Sequence, residues 1–468
     1  RGEPASLTLL ADGEKPVVFR FLYDSRQHLA GIERPDGSRI GLAFDAAGFP
    51  LRRTLARKVD GEAVAVFTEY DAAGRLTGIR GSGQAPAVRI AYDLLDRPVT
   101  VADSAGTRKF TYAEEDGVLT VTETVPWAEG WVLSREYDVS GRLRRLTFPV
   151  ADKAARTIDF DYDGAGNPAM VSDGSFSWRC SYGPAGRRPE TITWSNGAGV
   201  VPLTVRYRYD GNRLSGISGR TPAGTQEIAL RRDADGRVIE RVLPDGVRFG
   251  YDYDRFGRML SAAAEGGEKN RGGGKFEYTY DGFGRRIARA VESADGRKEE
   301  ATPVNVRGRY LAVGDLPLEY DADGNLVRGF HRYRGEYDSE NRLIRLASPD
   351  IRLEFSYDYR GRCWSRRRYA PDRAGAWTLR GETRFLYDGD RLLAEYRMAD
   401  GIPVLEQSYV WAPPSSPDLL RMVPLWNAQG AEYRFYFADD TGSVLFLLDE
   451  TGTVNAAYDY APDGSVIN

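Results

Sequence analysis

One unit recurs along the chain: Glu69-Tyr70-Asp71-Ala72-Ala73-Gly74-Arg75-Leu76, an aromatic followed by Asp-x-x-Gly-Arg-Leu. Close copies are Tyr137-Asp138-Val139-Ser140-Gly141-Arg142-Leu143, Tyr253-Asp254-Arg255-Phe256-Gly257-Arg258-Met259 and Tyr280-Asp281-Gly282-Phe283-Gly284-Arg285-Arg286. Shorter forms, such as Tyr209-Asp210-Gly211-Asn212-Arg213-Leu214, drop one turn residue. Self-similarity of this kind constrains the architecture before any single motif does, because each unit must stack on its neighbours. Tyr70, Tyr92, Tyr112, Tyr137, Tyr162, Tyr182 and Tyr209 follow one another at steps of 20 to 27 residues. The series resumes through Tyr253, Tyr280, Tyr320, Tyr337, Tyr357 and Tyr387.

Ahead of each turn the residues alternate. Val205, Tyr207 and Tyr209 share one parity, as do Phe249, Tyr251 and Tyr253, and Phe276, Tyr278 and Tyr280. Period two in Tyr, Phe and Val predicts strands. After the turn, Leu143 and Leu146 are three apart, which a regular strand cannot keep on one face; a bulge or a late strand start is required. A second turn signal lies between many units: Pro35-Asp36-Gly37, Ser104-Ala105-Gly106, Pro244-Asp245-Gly246 and Ala294-Asp295-Gly296. Each unit therefore reads as two short strands and two tight turns. The fold class expected is all-β, a long antiparallel sheet of tandem hairpins that coils because strands twist.

Within the unit, Gly74, Gly141, Gly257 and Gly284 suit a turn that needs positive φ. Asp71, Asp138, Asp254 and Asp281 are expected to accept turn N–H groups or to meet the following Arg75, Arg142, Arg258 and Arg285. Tyr70, Tyr137, Tyr253 and Tyr280 are expected to stack on counterparts in neighbouring strands, with Arg lying over rings. Such a ladder would unite neighbours without a conventional core. Residues 1–410 read as the regular repeat region. The stretch Trp411-Ala412-Pro413-Pro414-Ser415-Ser416-Pro417 cannot continue a central strand, so 411–468 reads as terminal, modified repeats.

Nothing else in the chain asks for chemistry. The 68 acidic residues guarantee chance carboxylate pairs, and none is singled out as a glycosidase site. His28 and His331 have no metal-ligand companion at a recognisable spacing. Cys180 and Cys363 start no metal motif and are too few for a disulfide framework, while pairing of Cys363 with His331 is a weak dyad. Gly272-Gly273-Gly274-Lys275 lacks the full phosphate-loop pattern and reads, with Glu265–Gly274, as a polar loop. No catalytic, cofactor-binding or metal residue is assigned, and no cofactor is expected. A net charge of -4 does not favour nucleic acid, and no apolar run reaches membrane-span length. The chain opens on Arg1 and closes on Asn468, which reads as a piece cut from something longer.

The units quoted resemble the tyrosine–aspartate (YD) repeats of Rhs proteins, of the C component of insecticidal toxin complexes and of the teneurins. The likeness runs roughly from Tyr23 to Gly464. It implies a sheet spiralling into a hollow shell, or part of one, that encloses a C-terminal effector in a secreted or cell-surface bacterial protein. The self-cleaving core and the effector are absent from this stretch, so their residues are not carried over, and Asp459 and Asp463 are not cast as protease groups. The implied role is a non-enzymatic scaffold whose partner is an effector or core region in the same protein. The alternative is an adhesion module recognising protein or glycan, which exposed Trp131, Trp194 and Trp377 would favour.

Overall fold

The computed structural model describes residues 4–10, 15–82, 87–150, 153–184, 186, 188–266, 274–293, 296–305, 307–329, 332–429, 432–462 and 464. Their regular structure is antiparallel β almost throughout, with one short helix, Asp418–Arg421. No helix among the described residues is long and apolar enough to cross a membrane. His331, Ala294, Asp295, Asp463 and residues 267–273 of the Gly-rich loop lie outside the described residues.

Strands pair with their sequence neighbours. Glu62–Tyr70 pairs with Leu76–Gly81, Val132–Tyr137 with Leu143–Val150, and Arg248–Tyr253 with Met259–Glu265. Burial follows the alternation: Leu203 and Val205 are buried and Tyr207 and Tyr209 half-buried, while Arg206, Arg208 and Asp210 face solvent. The register shifts by one residue where Tyr70, Tyr137, Tyr162, Tyr253 and Tyr357 enter the ladder. Glu136 pairs with Arg145, but Tyr137 pairs with Leu143, so Arg144 is the extra residue of a bulge. That bulge returns Leu143 and Leu146 to one face, where both are buried. Spacing of three is thereby reconciled with a period of two.

The chain divides into two compact units, each built from an early and a late stretch. The first comprises Arg1–Phe110, Tyr278–Arg289 and Glu299–Arg384; the second comprises Thr111–Glu277, Ala290–Lys298 and Phe385–Asn468. In the second unit the two stretches share a dense apolar interior that includes Trp178, Phe148, Ile192, Tyr396, Trp426 and Phe435. Trp194 Nε1 donates to Leu425 O at 3.2 Å, and Tyr396 OH to Pro149 O at 2.6 Å. Inward side chains here do fill the space, against the expectation that neighbours would be united without a conventional core. The cause is size: aromatic and branched residues on both facing layers interdigitate and exclude water.

Buried charges fasten the early to the late stretch within each unit. In the first, Arg57 donates to Asn341 Oδ1 at 2.8 Å and to Asp338 O, while Ala56 N donates to the buried Asp323 carboxylate at 2.7 Å. Asp323 thus occupies an irregular step in Pro50–Val59, where Thr54 and Lys58 are the last paired residues on either side. Arg108 pairs with Asp103 and lies 3.7 Å from Asp358. In the second unit, Arg156 meets Asp173 and Ser408, and Arg135 lies between Glu123 and Asp388 at 3.1 and 2.6 Å. Around Trp411–Pro417 the sheet resumes: Val410 pairs with Trp426.

Candidate functional site

The feature repeated most often is the joint that each unit makes with the next. Asp71 starts a turn closed by two backbone bonds, Asp71 N to Arg75 O and Gly74 N to Asp71 O, both 3.0 Å. Its Oδ1 accepts Ala73 N and Arg75 N, each at 3.0 Å, and its Oδ2 accepts Arg75 Nε at 2.7 Å. Both expected roles of the aspartate are therefore met by one side chain. Asp138 repeats the pattern through Ser140 N, Arg142 N and Arg142 Nε at 2.9, 3.0 and 2.8 Å. Asp254 does so with Phe256 N, Arg258 N and Arg258 Nε at 2.8, 2.9 and 2.5 Å. Asp281 binds Phe283 N and Arg285 N at 3.0 and 2.9 Å and pairs with Arg285 Nε. Gly74, Gly141, Gly257 and Gly284 hold φ of 80°, 74°, 80° and 83°, which a glycine adopts without a Cβ clash.

The arginine then reaches forward. Arg75 lies 4.9 Å from the Tyr92 ring centroid and its Nη1 donates to Asp93 O at 3.2 Å. Arg142 covers Tyr162 at 4.8 Å, Arg237 covers Tyr253 at 5.5 Å, and Arg342 covers Tyr357 at 5.2 Å. Each covered tyrosine reaches back instead. Tyr92 OH donates to Leu76 O, Tyr162 OH to Leu143 O, Tyr253 OH to Val238 O and Tyr357 OH to Leu343 O, at 2.7 to 2.8 Å. Ring-on-ring stacking between repeats is not what these tyrosines do; their flat partner is the guanidinium of the preceding unit. Tyr70 differs because Phe49 stands in the arginine place, with ring centroids 5.0 Å apart. Tyr137 follows an irregular unit and packs against the core of the second unit. Tyr280 ends Lys275–Tyr280, directly ahead of the Asp281 turn.

Several members of this series are not visible as copies of the unit. His28 occupies the arginine place after Asp24, its N donating to Oδ1 at 2.9 Å and its Nδ1 lying 3.2 Å from Oδ2. Asn167 and Asn325 do the same for Asp163 and Asp321, each through Nδ2, at 2.9 and 2.8 Å. Gln27, Asp96 and Asn341 take the glycine place with φ of 68°, 61° and 64°. Counting four residues onward from Asp24, Asp163 and Asp321 finds these arginine substitutes, because the full-length turn keeps that spacing.

This arrangement commits both oxygens of the turn carboxylates to turn N–H groups and to the residue four positions on. Backbone N–H donation from Arg75, with the Arg75 ion pair, holds Asp71 below the usual carboxylate range, and Arg97 does the same for Asp93. Burial pushes the Cys180 thiol up to about 12 and the Cys363 thiol up to about 11, so both stay protonated and unreactive at neutral pH. No group of three or more His, Cys, Asp or Glu among the described residues could hold a metal ion. Trp194 is buried, Trp131 packs between Trp127 and Tyr396, and Trp377 lies under Arg352. None of the three offers an exposed aromatic platform.

A model of the RHS Repeat family matches residues 232–269. The chain is 28% identical to the double-stranded DNA deaminase toxin A of Burkholderia cenocepacia over 96% of its own length and 27% of that protein's. It is 26% identical to toxin protein Tse5 of Pseudomonas aeruginosa, over 68% of this chain and 22% of the relative. The chain thus spans about a quarter of the length of these relatives. Among solved structures, a TcdB2–TccC3 crystal structure matches 96% of this chain and 31% of its own, at 14% identity and a TM-score of 0.44.

Proposed function

Because this chain belongs to the superfamily of Rhs and YD-repeat toxin proteins, we propose that it is wall-forming sheet of a bacterial toxin shell that encloses a C-terminal effector. The observation that carries this reading is the joint itself: aspartate, glycine, arginine and the next tyrosine are spent on holding unit to unit. A wall needs that kind of repeated, self-contained coupling, and a recurring binding site would leave its polar groups unpaired. Residues 1–410 would supply the regular wall. Residues 411–468 would lead toward a core region that closes the shell, and the partner would be an effector or core carried in the same protein or paired with it. Such a protein would act outside the cell that makes it or at that cell's surface.

The filled interior of the second unit has a consequence for this reading. A cargo cannot occupy that space, so the enclosed volume must be bounded by other faces of the sheet. The experiment is limited proteolysis of a polypeptide segment joined downstream of residue 468, with and without the repeats. Slower digestion with the repeats is the expected result; equal digestion overturns the proposal. Adhesion is the weaker reading, since burial or packing of Trp194, Trp131 and Trp377 removes its most natural contacts.

A further inference from the structure

One joint of the first unit lacks its carboxylate. Asn305 stands in the aspartate place: its N donates to Arg309 O at 2.9 Å, and its Oδ1 accepts Arg307 N and Arg309 N at 2.9 and 3.2 Å. Gly308 holds φ of 77°, and Arg309 lies 5.6 Å from the Tyr320 ring centroid, so the turn has the shape of the others. A carboxamide carries no charge, however. Arg309 makes no ion pair among the described residues, and its Nη2 donates to Asp323 O at 2.9 Å. Two further guanidiniums gather on the same segment, where Arg34 Nη1 and Arg307 Nη1 donate to one oxygen, Ala322 O, at 3.1 and 2.8 Å. Arg34 likewise has no carboxylate partner among the described residues. Arg307 pairs with Asp36, while the Asp321 and Asp323 carboxylates are committed to Asn325, Arg57 and the Ala56 N–H. Arg34, Arg57, Arg307 and Arg309 thus stand against Asp36, Asp321 and Asp323, four cations to three anions. Burial and the charge of Arg34 hold the Arg309 guanidinium below the usual arginine range, whereas Arg75, bonded to its own Asp71, is held above it.

We infer that this segment binds a phosphate-type oxyanion on the Arg34 guanidinium, with Arg307 and Arg309 supplying the positive field around it. Arg34 is only half-buried, so an ion reaches it from solvent. It spends Nη1 on Ala322 O and keeps Nε and Nη2 unspent, the planar edge that meets two oxygens of a phosphate. Arg307 stands beside it because both reach the same carbonyl oxygen. The anion would supply the negative charge that Asn305 withholds from this joint. The site stands apart from the shell reading, since a wall can form without it and it can bind without enclosing anything.

Calorimetric titration of the chain with inorganic phosphate and with methyl phosphate, at constant ionic strength in chloride, tests the assignment. Saturable binding of both supports the site and identifies a phosphate group carried on a larger molecule. Saturable binding of inorganic phosphate alone supports it and identifies the free ion. Arg34→Gln should weaken binding about tenfold, the loss of a charged hydrogen-bonding edge. Asn305→Asp gives Arg309 the carboxylate that other joints have. It should weaken binding about threefold while leaving the melting temperature unchanged or raised, so a loss of binding there is not a loss of fold. No saturation by either probe, or binding unaltered by Arg34→Gln or by Asn305→Asp, overturns the assignment.

Discussion

Asp358 shows what one turn carboxylate contributes. It is 2% exposed, its Oδ1 accepts Arg360 N and Arg362 N at 2.9 and 3.0 Å, and its Oδ2 accepts Arg362 Nε at 2.8 Å. Asp358→Ala removes the acceptor of two backbone donors and the carboxylate partner of the half-buried Arg362 guanidinium, a loss of about 3–5 kcal/mol, read as a shift in the urea midpoint. Glycine at the turn has two separable jobs. At Gly141 a Cβ would meet nothing within 4 Å, so Gly141→Ala should cost only the left-handed backbone, about 1–2 kcal/mol. At Gly74 a Cβ would stand 2.6 Å from Phe49 Cζ, so Gly74→Ala should cost clearly more by the same assay. Gln27 has the opposite sign. It holds φ 68° with no side-chain hydrogen bond among the described residues, and Gln27→Gly should stabilise by up to about 1 kcal/mol.

Hairpins and turns were largely legible before the structure, because their causes are local. Alternation in Arg248–Tyr253, an aspartate after the tyrosine and a glycine three residues later each act within one turn. The spacing of Leu143 and Leu146 required a bulge or a late strand start; that it is a bulge at Tyr137 is seen only in the structure, since backbone register is not written in side-chain identity. What local reading missed are the partners one unit away and the substitutes. Nothing in Arg75 itself announces the Tyr92 ring, and Phe49 in the arginine place hides that the place exists. Arg57, Arg108 and Arg156 resemble every other arginine, yet their buried partners lie far along the chain. Only folding brings those residues together, so no local period marks them.

At the scale of the molecule the joints act in parallel, and the carboxylates of Asp24, Asp71 and Asp93 share one response to acid. Asp24, Asp71 and Asp93 are each held below the usual carboxylate range first by a backbone N–H, from His28, Arg75 and Arg97 respectively. A folded-state value below the unfolded one gives stability that is present above the unfolded value, about pH 4, and is lost as pH falls through the folded values. Arginine stays charged throughout and contributes no opposing step. The melting temperature should accordingly hold steady from near neutrality to about pH 5 and drop below about pH 4, by scanning calorimetry. Whether the unit is a joint or merely a row of well-formed turns rests on the coupling between one arginine and the next tyrosine. A double-mutant cycle on Arg142→Gln and Tyr162→Leu measures that coupling. The expected interaction energy is about 0.5–2 kcal/mol; additive single-variant losses would mean that the turns stand alone and that the contact binds no repeat to its neighbour.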